Sequence, residues 1–311
     1  MKKILTCLTA LAAASLSAET ISSASISGTK TADGTTVEYT AEEIDLVSGT
    51  KLTAVNGGTI KFSGTTVYCG EDSESTDVQI TVEDNSFLIG DYLKLYDGNQ
   101  FTNKGTTTVD YLCLQGGTFT NYGYLKILPI ESQPAGSYDE YSLLSISTAT
   151  AVVDNYGYIE GPTDITHGAL NAMNGSSYGE VNLYEGGTLN VKGAITLNDS
   201  LYSSEYDPAT ICFDMSGCID MDGNDVCLNN YITFVLNVDT EVAEDTVLFK
   251  DNFFTNYSSS SGVSGDTVVY IKGVNGTTTT RTMSQLSVPE PTSTLLGLLS
   301  LAGVAARRRR K

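Results

Sequence analysis

Adjacent carboxylates are the first residues in this sequence whose type and spacing could do chemistry. Glu42-Glu43, Glu83-Asp84 and Asp139-Glu140 each bring two acids together, and a glycosidase needs only two carboxyl groups held about 5 to 9.5 Å apart. The stretch from residue 19 to 288, however, holds 36 acids and 10 bases, a net charge of −26, so acidic neighbours arise there by chance. It also contains no Trp, a common platform for sugars. His167 is the single histidine, set in Ile165-Thr166-His167-Gly168 without a Ser-x-Gly elbow to serve, and it reads as a turn residue. Arg281 is the only arginine of the body, so clamps for phosphate and for cationic proton abstraction are missing. No catalytic residue is expected, and a glycan-active enzyme is the alternative.

Metal chemistry fares no better. Cys7, Cys69, Cys113, Cys212, Cys218 and Cys227 contain no C-x-x-C pair, which argues against zinc. Cys7 falls in an expected leader, and in an oxidising compartment one or two disulfides are expected among the rest. The cluster Cys212, Cys218 and Cys227 is where a bridge is expected, with at least one thiol left over. Asp220-Met221-Asp222-Gly223-Asn224-Asp225 resembles part of a calcium loop but lacks the closing glutamate, so it reads first as a solvated acidic turn. No cofactor is expected, with calcium the one ion to test. The acidic surface repels nucleic acid, which is excluded as a partner.

The elements that would hold these residues are short and repeated. Ile60-x-Phe62-x-Gly64, Phe101-x-Asn103-x-Gly105, Phe119-x-Asn121-x-Gly123, Val153-x-Asn155-x-Gly157 and Leu189-x-Val191-x-Gly193 are five copies of one phrase, and Gly-Gly-Thr precedes three strands at residues 57, 116 and 186. The phrase glycines lie 41, 18, 34 and 36 residues apart, or two, one, two and two units of about 17 to 20 residues, as in a solenoid. Alternation sends one side-chain set inward. Asn-x-Gly supplies a corner with positive φ, and asparagines in successive corners can bond one another. The expected fold is all-β: a parallel β-helix or β-solenoid over residues 19–200, with a β-rich cap over 201–276 and a polar tether over 277–288. A β-sandwich is the rival. Phrases such as GGTFTNYG make residues 50–200 resemble the passenger regions of autotransporter-like adhesins. Thr106 to Thr108 and Thr277 to Thr280 are similar to the rows of ice-binding solenoids, but Thr-x-Thr at one place on successive coils is not visible in the sequence.

Both ends read as processing signals. Lys2 and Lys3, an apolar run from Ile4 to Leu16 and small residues up to Ala18 have the order of a secretory signal peptide over residues 1–18, with cleavage expected at Ala18. At the other end, Pro289-Glu290-Pro291 is followed by uncharged residues 292–306 and then by Arg307, Arg308, Arg309, Arg310 and Lys311. Those basic residues stay cytoplasmic. The apolar segment reaches only about 22 Å of a core of about 30 Å, which suits transient insertion. VPEPTSTLLGLLSLAGVAARRRR resembles the PEP-CTERM sorting signal. That resemblance implies an exported protein of a Gram-negative bacterium that makes extracellular polysaccharide, processed by an exosortase and placed at the surface or in the matrix. The two terminal signals, together with a repeat that lacks catalytic residues, make a non-catalytic role in adhesion or exopolysaccharide association the expected function.

Overall fold

Strict alternation of apolar and polar residues makes each segment a strand with one wet and one dry face, and no strand of four or five residues can hide its dry face alone. The computed structural model describes residues 18–70, 76–128, 143–204, 207–229, 231–237, 246–250, 253–254, 268–273 and 276–288. Among them are strands and one 3-10 turn, and the strands form a parallel β-solenoid.

Each coil has three faces. The first is a twelve-stranded sheet running from Thr29–Asp33 to Thr278–Thr282, in which every pairing but the last is parallel. The second and third faces form one continuous sheet of 21 strands. Phe87–Tyr96 and Thr106–Gln115, ten residues each, serve both of these faces without a corner. The inward column of the first face reads Leu52, Ile80, Phe101, Phe119, Val153, Leu170, Leu189 and Ile211, all buried. Burying one such side chain contributes about 1.5–3 kcal/mol, and the gain exists only because the next coil repeats the column. Phe101 and Phe119 meet at 4.8 Å with their rings tilted by 36°, and Tyr39 and Phe62 stack at 5.1 Å.

The boundaries differ from those expected. Stacking does not stop at residue 200: Leu201–Ser203, Thr210–Phe213 and Cys218–Asp220 continue the third, first and second faces in register. The alternation persists there while the glycine phrase is lost, and burial follows the alternation. The expected tether is folded as well. Thr278–Thr282 turns antiparallel onto Val268–Lys272. The 3-10 turn Met283–Leu286 buries Met283 and Leu286, and Ser287–Val288 pairs with Phe249–Lys250. Among the described residues, the segment that closes the stack is thus residues 276–288.

Candidate functional site

The repeated corner carries the same residues over three successive coils. Four of the five phrases lie on the first face, where Asn103, Asn121 and Asn155 are in register and fully buried. Asn103 Nδ2 donates to Asn121 Oδ1 at 2.8 Å, and Asn121 Nδ2 donates to Asn155 Oδ1 at 2.7 Å. The same nitrogens reach the carbonyls of Tyr124 and Tyr158 at 3.1 and 3.3 Å. Ile60-x-Phe62-x-Gly64 is not part of this column: Thr59–Phe62 belongs to the second face. The step of 34 residues from Gly123 to Gly157 is one coil, because Thr118–Asn121 and Val152–Asn155 are direct neighbours. The surplus residues between them include 129–142, outside the described residues.

Glycine is required at this corner for a reason the sequence reading missed. Gly64 and Gly193 have positive φ (63 and 114), whereas Gly105, Gly123 and Gly157 do not. A Cβ on Gly123 would collide with the carbonyl oxygen of Gly105, and one on Gly157 with that of Gly123. The coils approach too closely there for any side chain.

This tight corner displays tyrosines. Tyr122 and Tyr156 occupy the variable position of Asn-x-Gly, remain 51% and 44% exposed, and stack at 4.7 Å with planes 16° apart. Tyr124 and Tyr158 stack beside them at 5.4 Å. Ion pairs flank the group, Lys104 to Glu83 at 3.0 Å and Lys126 to Glu160 at 3.1 Å. Phe87 and Ile89, each 42% exposed, lie on the same second face, with Phe87 two coils before Tyr124. The signal was present in the sequence as Asn-Tyr-Gly-Tyr, written twice at residues 121–124 and 155–158.

The other expected residues are scattered. Glu42 and Glu43 line a cleft of about 650 Å³ together with Thr65, Asp91 and Tyr92. Glu83 is engaged by Lys104, and Asp139 and Glu140 lie outside the described residues. Above Asp91, Asp110 is pushed up by burial and by the charge of Asp91. His167 sits exposed at a positive-φ turn, φ 64, its amide bonded to the carbonyl of Glu185.

The expected disulfide is absent. None of Cys69, Cys113, Cys212, Cys218 and Cys227 forms a disulfide; Cys212, Cys218 and Cys227 stand on the first, second and third faces of one coil. In the acidic turn, Met221 points into the core and Asn224 Nδ2 bonds the carbonyl of Leu197. Among the described residues no group of three or more His, Cys, Asp and Glu is placed to hold a metal.

The threonine array that the sequence did not display does exist in part. Thr31, Thr53, Thr81, Thr102 and Thr120 form one outward column. Variable coil lengths hid it. The neighbouring column reads Thr29, Lys51, Gln79, Gln100 and Thr118, so Thr-x-Thr is completed only at the two ends.

Ala18 opens the first described strand. Pro289, Glu290, Pro291 and Arg307 to Arg310 lie outside the described residues, as do both apolar end segments apart from Ala18. Residues 287–311 match the family model of the PEP-CTERM protein-sorting motif. The chain carries a PEP-CTERM sorting signal. That signal marks an exported protein, sorted to the cell surface through exosortase. No curated protein and no solved structure matches the chain.

Proposed function

We propose that the solenoid is a non-catalytic surface protein that holds extracellular polysaccharide at the tyrosine corner. The observation that carries this reading is the exposed pair Tyr122 and Tyr156 with Tyr124 and Tyr158 beside it. Phenols combine apolar ring edges with hydroxyls that donate and accept. Here they are pre-stacked on a rigid corner, so ordering them on binding costs little. The strongly acidic body favours a neutral glycan over a polyanionic one.

Retention of the purified protein on a panel of immobilised polysaccharides tests the reading. Tyr122→Ser/Tyr156→Ser should lower retention of the glycan bound by the parent at least tenfold, with the β-sheet circular dichroism unchanged. Unchanged retention sinks it. Separately, deletion of residues 289–311 is expected to abolish surface retention in the cell. The runner-up, a glycosidase, rests on the acidic cleft at Glu42, Glu43 and Asp91. Reducing ends released from the panel, and lost in Glu43→Gln or Asp91→Asn, would favour it.

A further inference from the structure

The two ends of the stack are finished in opposite ways. At the C-terminal end, Met283 and Leu286 lie over the core, and Thr278–Thr282 covers the last parallel strand of the first face. At the N-terminal end, Ala18–Ile21, Ser25–Ile26 and Thr29–Asp33 each pair on one side only among the described residues. Three strand edges therefore face outward together around one coil. Such edges are templates for another chain.

That first coil breaks the inward pattern twice. Lys30 is in register with Leu52 at the start of the first-face core column, and Glu19 is in register with Val37 at the start of the second. Both inward positions are charged where the next coil is apolar. Lys30 Nζ and Glu19 Oε1 meet at 2.9 Å across the mouth of the solenoid, with side chains 39% and 55% exposed. Beneath them the buried Tyr39 hydroxyl has no hydrogen-bond partner. Burial, and secondarily the Glu19 carboxylate, push its phenol up to about 12.

We infer that the Glu19 and Lys30 ion pair keeps the N-terminal end from pairing with a second copy of this chain. The occupant follows from shape. Three edges disposed around a single coil are matched by another end of the same outline, and a two-fold axis would bring the edges together antiparallel. Docking would have to bury the ion pair without water, which costs more than the pair returns. Inward-pointing charge is a known way of blunting an edge.

The test compares the exported chain, its first residue fixed by mass spectrometry, with Glu19→Val/Lys30→Leu, which installs the residue types that Val37 and Leu52 present one coil further in. At a concentration where the parent sediments as a monomer, the double variant is expected to sediment at twice the mass. Amides of residues 29–33 should then exchange at least tenfold more slowly. The charge swap Glu19→Lys/Lys30→Glu keeps a pair in the mouth and should remain monomeric. If the double variant fails to fold, Glu19→Met/Lys30→Met, which removes both charges and keeps long side chains at both positions, should show the same association. A folded, monomeric double variant overturns the inference, as does a folded, monomeric Glu19→Met/Lys30→Met or a dimeric charge swap.

Discussion

Asp154 and Asn155 are neighbours on one strand, point to opposite sides of the first face, and each belongs to a side-chain ladder that crosses several coils. The inner ladder, Asn103, Asn121 and Asn155, is built of amides alone and is fully buried. The outer one begins on a carboxylate: Asn171 Nδ2 donates to Asp154 Oδ1 at 2.7 Å, and Asn190 Nδ2 donates to Asn171 Oδ1 at 2.9 Å. On the third face Asn182 likewise donates to Asp164 at 2.9 Å. All three ladders use the same registered amide bond. Access to water decides which of them can end on a charge, because an ion without water must be fully compensated while an amide needs only its partners.

Exchanging the two chemistries gives the largest expected effect. Asn155→Asp places a carboxylate in the buried column and should destabilise the protein by about 3–5 kcal/mol at neutral pH, whereas Asp154→Asn on the wet side should be near neutral. Desolvation raises the folded-state pKa of the introduced acid above its unfolded value. Its penalty is therefore absent below the ordinary carboxylate range and grows as the pH rises through it. Urea denaturation of both variants at pH 3 and pH 7 reads this directly. Equal stabilities at pH 7 would erase the distinction drawn between the ladders.

Next in size is the spacing that lets the inner ladder form. Gly123→Ala drives a methyl into the carbonyl of Gly105, and overpacking of this kind costs about 1–3 kcal/mol, sometimes more. The same substitution at Gly175, which has open space around it but positive φ (81), carries backbone strain alone. A thermal melt in which Gly123→Ala falls no further than Gly175→Ala would locate the constraint in φ instead of in the approach of the coils.

These residues also mark how far the sequence could be read. The solenoid was legible because alternation repeats, and the asparagine corner because three copies share their wording. The phrase at Gly64 misled because a strand on any face obeys the same inward rule, so wording alone does not name the face. Counting residues misled at Gly123 to Gly157, where one coil carries extra chain, and at residue 200, where burial continues after the phrase ends. Columns made across coils, such as Thr31 to Thr120, Tyr122 over Tyr156, or Lys30 above Leu52, depend on register. Register is set by coil lengths that vary, and it becomes visible only once the pairing is known.

A smaller effect separates the ladders by single deletions. Asn121→Ala removes one hydrogen bond to each of two buried neighbours, at a cost of about 1–3 kcal/mol. Asn171→Ala frees Asp154 and Asn190 to bond water, and about 0.5–1 kcal/mol is expected. Melting temperatures of the two variants, measured side by side, should fall in that order.

The smallest predicted effect changes with pH and falls where the two kinds of ladder converge. Asp164 starts an outer ladder yet is half-buried, and burial pushes its carboxyl above the usual range, against the hydrogen bond from Asn182 and with the charge of Glu180. A raised folded-state pKa means that the stability contributed by protonated Asp164 is fully present below the unfolded pKa and is lost as the pH rises through the folded one. Asp164→Asn keeps an oxygen for Asn182 and removes the ionisation, so it should match the parent at pH 3 and exceed it modestly at pH 7. A variant that is less stable than the parent at pH 7 would show that the carboxylate is compensated at this site, and that burial alone does not decide which ladders carry charge.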